Sequence, residues 1–170
     1  KFYASGTELC QLDRDGNAGE AAVDADGNIY VAKGLLRKYD PDGGLLWTAS
    51  EPTDVGCARV CVDDQGDPYV QTIPGDAPNS VAKYSAADGA LIWEAHPITS
   101  SAADGILLVG ALAIVGTDLF SVNQFLAGTG GEFPVAHRLD AGDGTIVWSK
   151  VLDRSLFACA VAPGVAPLFQ

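Results

Sequence analysis

The residues with the clearest capacity for chemistry are acidic and sit beside glycines. Asp13-Arg14-Asp15-Gly16-Asn17, Asp24-Ala25-Asp26-Gly27-Asn28 and Asp40-Pro41-Asp42-Gly43 open like calcium loops. Calcium takes six to eight oxygen ligands, and an EF-hand loop adds a further acidic or amide position and a distal bidentate Glu. Here the pattern breaks after Gly-Asn, and Glu20 is not at the EF-hand distance. Asp, Asn and Gly are also the residues of tight turns. A hairpin turn is therefore the expectation at each. A calcium site at one of them, carried by Asp13, Asp15, Asp24 or Asp26, is the alternative.

The remaining reactive side chains are scattered. Cys57 and Cys61 are spaced by three residues. Structural zinc needs four ligands, usually with a second close pair, and neither Cys10, Cys159 nor a histidine lies near in sequence. In an extended strand the two are about 13 Å apart, too far for a disulfide without a bend. Buried thiols packing as small apolar groups are expected. His96 precedes Pro97 and His137 stands alone, with no Ser-Asp arrangement or metal-type spacing. Gly-x-Ser-x-Gly, His-Glu-x-x-His and phosphate loops are absent. Ala127-Gly128-Thr129-Gly130-Gly131-Glu132 is Gly-rich but does not lead from a strand into a helix, so it is expected to be a mobile connection. No catalytic residue and no cofactor is assigned on these grounds.

The elements that must carry these residues repeat. Arg37-Lys38-Tyr39-Asp40-Pro41-Asp42-Gly43-Gly44-Leu45-Leu46-Trp47, Lys83-Tyr84-Ser85-Ala86-Ala87-Asp88-Gly89-Ala90-Leu91-Ile92-Trp93 and Arg138-Leu139-Asp140-Ala141-Gly142-Asp143-Gly144-Thr145-Ile146-Val147-Trp148 end alike, and they hold all three tryptophans. Each reads as strand, Asp-Gly turn, strand. The second strand has consecutive apolar residues, which predicts cover on both faces. A further hairpin precedes each unit: 23–32, 61–71 and, more loosely, 113–122; residues 159–169 look like a fourth. Two hairpins per period of about 45 residues make one four-stranded blade. Ile106 to Val115 is the most apolar run and is read as two buried strands, too short to cross a bilayer.

The unit running from Arg138 to Trp148, and from Lys83 to Trp93, resembles the tryptophan-docking repeat of quinoprotein (pyrroloquinoline-quinone-like) β-propellers. In that family the third-position Asp, the seventh-position Gly and the final Trp lock neighbouring blades. Asp140, Gly144 and Trp148 match; Gly89 and Trp93 match with Ser85 in place of Asp; the copy from Asp40 through Gly43 to Trp47 is one residue short. The first hairpin is equally similar to NHL-type propellers. The resemblance implies an all-β propeller-type array of four-stranded antiparallel blades, about four blades or part of a larger ring. Residues 1–170 are read as one such domain, with repeats at 18–53, 54–97 and 98–153 and partial repeats at 1–17 and 154–170. Quinoprotein dehydrogenases resembling this repeat use about eight blades, a vicinal Cys-Cys disulfide, calcium and a catalytic Asp. This chain has no vicinal cysteines and fewer than half the blades.

A formal charge of −12 with ten basic residues disfavours nucleic acid and anionic membrane surfaces as partners. Turn chemistry and solubility account for the acidity. No signal peptide is recognisable and no membrane insertion is expected. The chain begins and ends inside repeats, so it is expected either to sit within a larger protein or homo-oligomer or to complete one blade from its two ends. The functional expectation is a scaffold or recognition module of a virion or cell-surface assembly, extracellular or periplasmic, and not an enzyme. Its partner would be a protein, another copy, or a glycan. The connections 72–80 and 124–134, with Thr72, Asp76, Asn79, Gln124, Thr129 and Glu132, are the candidate contact loops. A fragment of a quinoprotein-like oxidoreductase and a lectin-like propeller are the alternatives.

Overall fold

The computed structural model describes residues 20–49, 57–72, 80–97, 105–127 and 132–152, with the backbone alone at 57–58, 105–109, 124–127 and 132–133. The described residues form three four-stranded antiparallel sheets. Blade 1 is β1 (Glu20–Val23), β2 (Ile29–Lys33), β3 (Leu35–Tyr39) and β4 (Leu45–Thr48). Blade 2 is β5 (Cys57–Val62), β6 (Pro68–Thr72), β7 (Val81–Tyr84) and β8 (Leu91–Ala95). Blade 3 is β9 (Gly105–Val115), β10 (Asp118–Ala127), β11 (Glu132–Asp140) and β12 (Ile146–Val151). In each, every strand pairs with its sequence neighbour. The double hairpin of the sequence is thus a meander, and the fold is all-β, as its spacing predicts.

Hairpin closure follows from the Asp-Gly pairs. Asp24 Oδ1 accepts from the backbone N–H of Asp26 and Asn28, at 3.1 and 2.8 Å. Asp63 Oδ1 does the same for Gln65 and Asp67, and Asp40 Oδ1 for Asp42 and Gly44. These are turns in which a short carboxylate replaces a backbone acceptor.

Sheets stack face to face. One core cluster joins Tyr30, Ala32 and Leu36 of blade 1 to Val60, Val70, Ala82 and Tyr84 of blade 2. A second joins Tyr69 and Val81 of blade 2 to Leu119, Leu139 and Ala141 of blade 3. The first strands also touch: β1 meets β5, and β5 meets β9. Those strands are the inner ones, and β4, β8 and β12 are outermost.

Two expectations change here. Leu45, Leu46, Ile92 and Val147 are each about half exposed, at 56%, 52%, 49% and 50%. The outermost strands fan apart, so neighbouring blades no longer cover both of their faces; in each the tryptophan is half-buried, joined in β8 by Ala95. The apolar run 106–115 belongs to one strand of eleven residues, β9, rather than two. It pairs along the whole of β10, with a bulge that leaves Gly110 without a register partner.

Candidate functional site

The shared constellation of this arc is the joint between blades. Trp47 Nε1 donates to the carbonyl of Ala86, in the β7–β8 turn of blade 2, at 3.1 Å. Its ring lies on Gly89: an added Cβ there would stand 2.7 Å from Trp47 Cε3. Gly89 has φ +74°, which a β-carbon disfavours in any case. Trp93 repeats this one blade on. Its Nε1 donates to Ala141 O at 3.1 Å, and a Cβ at Gly144 would stand 2.7 Å from Trp93 Cε3. Glycine is demanded twice over at both positions, by the turn and by the ring.

Behind each tryptophan stands an Asp–Tyr–Lys group. The Tyr30 hydroxyl shares its hydrogen between Gly66 O of blade 2, at 2.8 Å, and Asp24 Oδ2, at 3.2 Å. Lys38 Nζ donates to Ala86 O at 3.0 Å, lies 5.1 Å from the Tyr30 ring centroid and is 4.0 Å from Asp24. In blade 2, the Tyr69 hydroxyl is 3.0 Å from Asp63 Oδ2 and 3.2 Å from Ala141 O. Lys83 lies 3.3 Å from Asp63 and 3.1 Å from Asp67. Tyr30 meets Trp47 edge-on and Tyr69 meets Trp93 at a tilt, both at 5.9 Å. Blade 3 varies the theme: Phe120 packs with Trp148 at 6.4 Å, and Arg138 pairs with Asp118 at 2.6 Å.

Electrostatics fix these protonation states. Burial, then the charge of Asp24, pushes the Tyr30 phenol above its ordinary value. Burial raises Tyr69 to about 12, with Asp63 adding to it and Lys83 opposing. Burial alone would lower Lys83, but its bonds to Tyr69 and Asp67 outweigh that and hold it above the usual lysine value. Burial would raise Asp24, and the bonds from Asn28 and Tyr30 with the charge of Lys38 overcome it, so its carboxyl is lowered. Each group therefore keeps one charge state near neutral pH. What such an arrangement does is clamp two sheets together.

A second tie runs along the inner strands. Glu20 Oε2 accepts from the Val60 N–H at 3.0 Å, and Arg59 Nε donates to Gly110 O at 3.2 Å. Glu20 and Arg59 each stand three residues before the last residue of their strand. Arg59 reaches the β9 bulge, where Gly110 has no register partner, and Glu20 reaches Val60, two residues beyond the β5 bulge. Charge type differs while the role is the same. Sequence reading singled out neither residue, nor Tyr30, Tyr69, Lys38 and Lys83. The recurrence of Tyr six residues after the turn Asp, and of Lys, Lys and Arg two residues before the turn start, was the available signal.

The other candidates fall as follows. Asp40 and Asp140 cap their own turns, Asp140 through Gly142 N at 2.7 Å. Gly43 takes positive φ in the β3–β4 turn. Asp24 spends its oxygens on four donors, and Asp26 is exposed. Among the described residues no three metal-ligating side chains come together. Thr72 is not a loop residue: it ends β6, is buried, and bonds to Ser80 through both backbone and hydroxyl. Gln124 and Glu132 lie within β10 and β11, where Gln124 pairs with Pro134. β10 and β11 therefore run further into the Gly-rich stretch than its sequence suggests. Cys61 is half-buried in the second core cluster, and His137 is buried. Asp13, Asp15, Asp76, Asn79, Thr129, Cys10 and Cys159 lie outside the described residues.

Blade meanders welded by a tryptophan on the next blade's glycine turn define a quinoprotein-like PQQ-repeat propeller. Residues 3–154 match the family model described as outer membrane protein assembly factor BamB, and the chain belongs to that family. No curated protein sequence matches it. Among solved structures it is similar to a quinohemoprotein alcohol dehydrogenase of Pseudomonas putida HK5, at 18% identity and TM-score 0.61, covering 82% of this chain and 21% of that one. A quinohemoprotein alcohol dehydrogenase of Comamonas testosteroni gives 18%, 0.59, 76% and 20%. A europium-containing methanol dehydrogenase gives 13%, 0.61, 85% and 27%. The chain thus spans a fifth to about a quarter of those proteins. These similarities show the fold. They also correct the expectation that the chain stands apart from enzymes, because the structures built this way are dehydrogenases.

Proposed function

We propose that this chain supplies three consecutive blades to a PQQ-repeat ring of the oxidoreductase kind. The observation that carries the reading is the head-to-tail joint. Trp47 docks on the blade 2 turn and Trp93 on the blade 3 turn with the same bond and the same glycine contact. Such a joint adds blades in one direction and builds a ring wall. The joint cations are not available to seat an anionic quinone. The cations of the joints, Lys38, Lys83 and Arg138, already face Asp24, Asp63 with Asp67, and Asp118. Their share is to hold the ring wall rigid. The test is a dye-linked assay of the whole protein carrying these blades, supplied with pyrroloquinoline quinone and calcium. Alcohol-dependent dye reduction supports the reading; none at any quinone concentration overturns it.

A second reading has one observation in its favour. The family description names an assembly factor, which works through other proteins. Leu45 with Leu46, Leu91 with Ile92, and Ile146 with Val147 present exposed apolar pairs at the same place in all three blades. Apolar residues repeated along a surface suit a protein partner. Charged substitutions at these pairs would abolish capture of that partner while leaving thermal stability unchanged.

A further inference from the structure

The two seams between blades differ at three equivalent core positions. Alignment on Tyr30, Tyr69 and Phe120, and on Lys38, Lys83 and Arg138, makes Ala32 equivalent to Gln71, Val70 to Ser121 and Ala82 to His137. In the first seam Ala32, Val70 and Ala82 sit in one apolar cluster. In the second, polar residues stand at the same places. Gln71 Nε2 donates to Ser121 Oγ at 3.0 Å and to Asn123 Oδ1, and Asn123 Nδ2 donates to Ser121 Oγ at 3.3 Å. Gln71, Ser121 and Asn123 are all fully buried. His137 is the register partner of Ser121, and Ser149 that of His137. Paired residues share a face of the sheet, and this face carries Leu119 and Leu139 against blade 2. His137 Nδ1 meets Ser149 Oγ at 2.8 Å.

Two buried side-chain polar atoms among the described residues lack a protein partner: Gln71 Oε1 and His137 Nε2. Both belong to this one polar layer. Buried polar atoms are almost always satisfied, by protein or by solvent. The chemistry of the pair narrows the occupant. Gln71 Oε1 needs a donor, which excludes a bare anion. His137 is held neutral by burial, its imidazole lowered to about 4. Its Nε2 accepts or donates according to tautomer. A neutral molecule that both donates and accepts fits either tautomer, and fits either orientation of the Gln71 amide.

We propose that the seam between blades 2 and 3 is a built hydration site, holding ordered water on Gln71 and His137, whereas the seam between blades 1 and 2 is dry. Buried waters of this kind take two to four polar partners, and the layer offers them. At these positions one joint of the arc is hydrated and the other is closed by apolar packing.

The test is a high-resolution crystal structure of the 170-residue chain, with water-to-ring nuclear Overhauser effects on His137 in solution. Ordered solvent within hydrogen-bond distance of Gln71 Oε1 and His137 Nε2, and none between Ala32 and Ala82, is the expected result. A dry second seam, or protein groups meeting both atoms, overturns the proposal. The variant Gln71→Ala with His137→Ala copies the first seam; the solvent and its Overhauser signals should vanish from it. Should that variant not fold, the wild-type structure and spectrum still decide.

Discussion

The Trp47 indole occupies the space that a β-carbon on Gly89 would need, with Cε3 2.7 Å from that point. The contact crosses from the last strand of one blade to the last turn of the next. Trp93 and Gly144 reproduce it at the same distance.

Gly89→Ala and Gly144→Ala should therefore cost more than a turn glycine normally does. Gly27 provides the control. It has φ +84° but its nearest neighbour is Pro41 Cγ at a comfortable 3.6 Å. Gly27→Ala should cost about 1 kcal/mol from backbone strain. Gly89→Ala should add roughly 1–3 kcal/mol for overpacking. Urea unfolding midpoints compare the three; equal losses would mean that the indole moves aside freely.

The indole N–H and the indole bulk can be separated. Trp93→Phe loses the bond to Ala141 O and should cost about 1 kcal/mol. Trp93→Ala also loses the ring's packing on Gly144 and Tyr69. Because the ring is half-buried rather than enclosed, roughly 2–4 kcal/mol is expected, below the largest core values. Thermal melts of both variants check the order.

Lys83→Met should destabilise more than Arg138→Met. Lys83 and Asp63 have side chains 14% and 9% exposed, while Arg138 and Asp118 are 36% and 33% exposed. Removing Lys83 leaves two carboxylates without their cation in a half-dry joint, at about 2–4 kcal/mol. The Arg138 pair is screened by solvent and should be worth under about 1 kcal/mol. A reversed order would show that the blade 2 network contributes little to the joint.

How far this was readable from the chain differs by feature. The Trp47, Trp93 and Trp148 spacing carries the blades and their locking to neighbours, because a turn glycine and an indole recur together; which neighbour each indole meets comes only from the structure. Tyr30 and Lys38 recur at fixed distances from the turns, but the recurrence does not say what they bond to, since their bonds to Gly66 and Ala86 cross blades. Leu45 and Leu46 misled, because apolar runs report cover only where strands stay close, and outer strands diverge. Gln124 and Glu132 misled because glycines mark a turn but not how far its hairpin extends. Thr72 misled because its hydroxyl is consumed by Ser80 inside the fold.

His137 gives the chain a pH dependence of known sign. Burial lowers the folded imidazole to about 4, against an ordinary value of 6.5. The unfolded chain takes up the proton first as pH falls. The contribution is thus whole above pH 6.5, declines from there to about pH 4, and levels off below it. Its ceiling is on the order of 3 kcal/mol. His137→Leu should flatten the stability curve over that window relative to wild type. An unchanged slope would mean that the imidazole reaches solvent in the folded state.

The docking of each tryptophan on the next blade's glycine is tested most directly by a double-mutant cycle between Trp47→Ala and Gly89→Ala, measured by urea unfolding. With the indole gone, the added methyl meets empty space, so Gly89→Ala should cost only about 1 kcal/mol of backbone strain, and the cycle should show a coupling of at least about 1 kcal/mol. The pair Trp47→Ala with Gly144→Ala should be additive. Additivity for Trp47 with Gly89 as well would contradict the docking of one blade on the next.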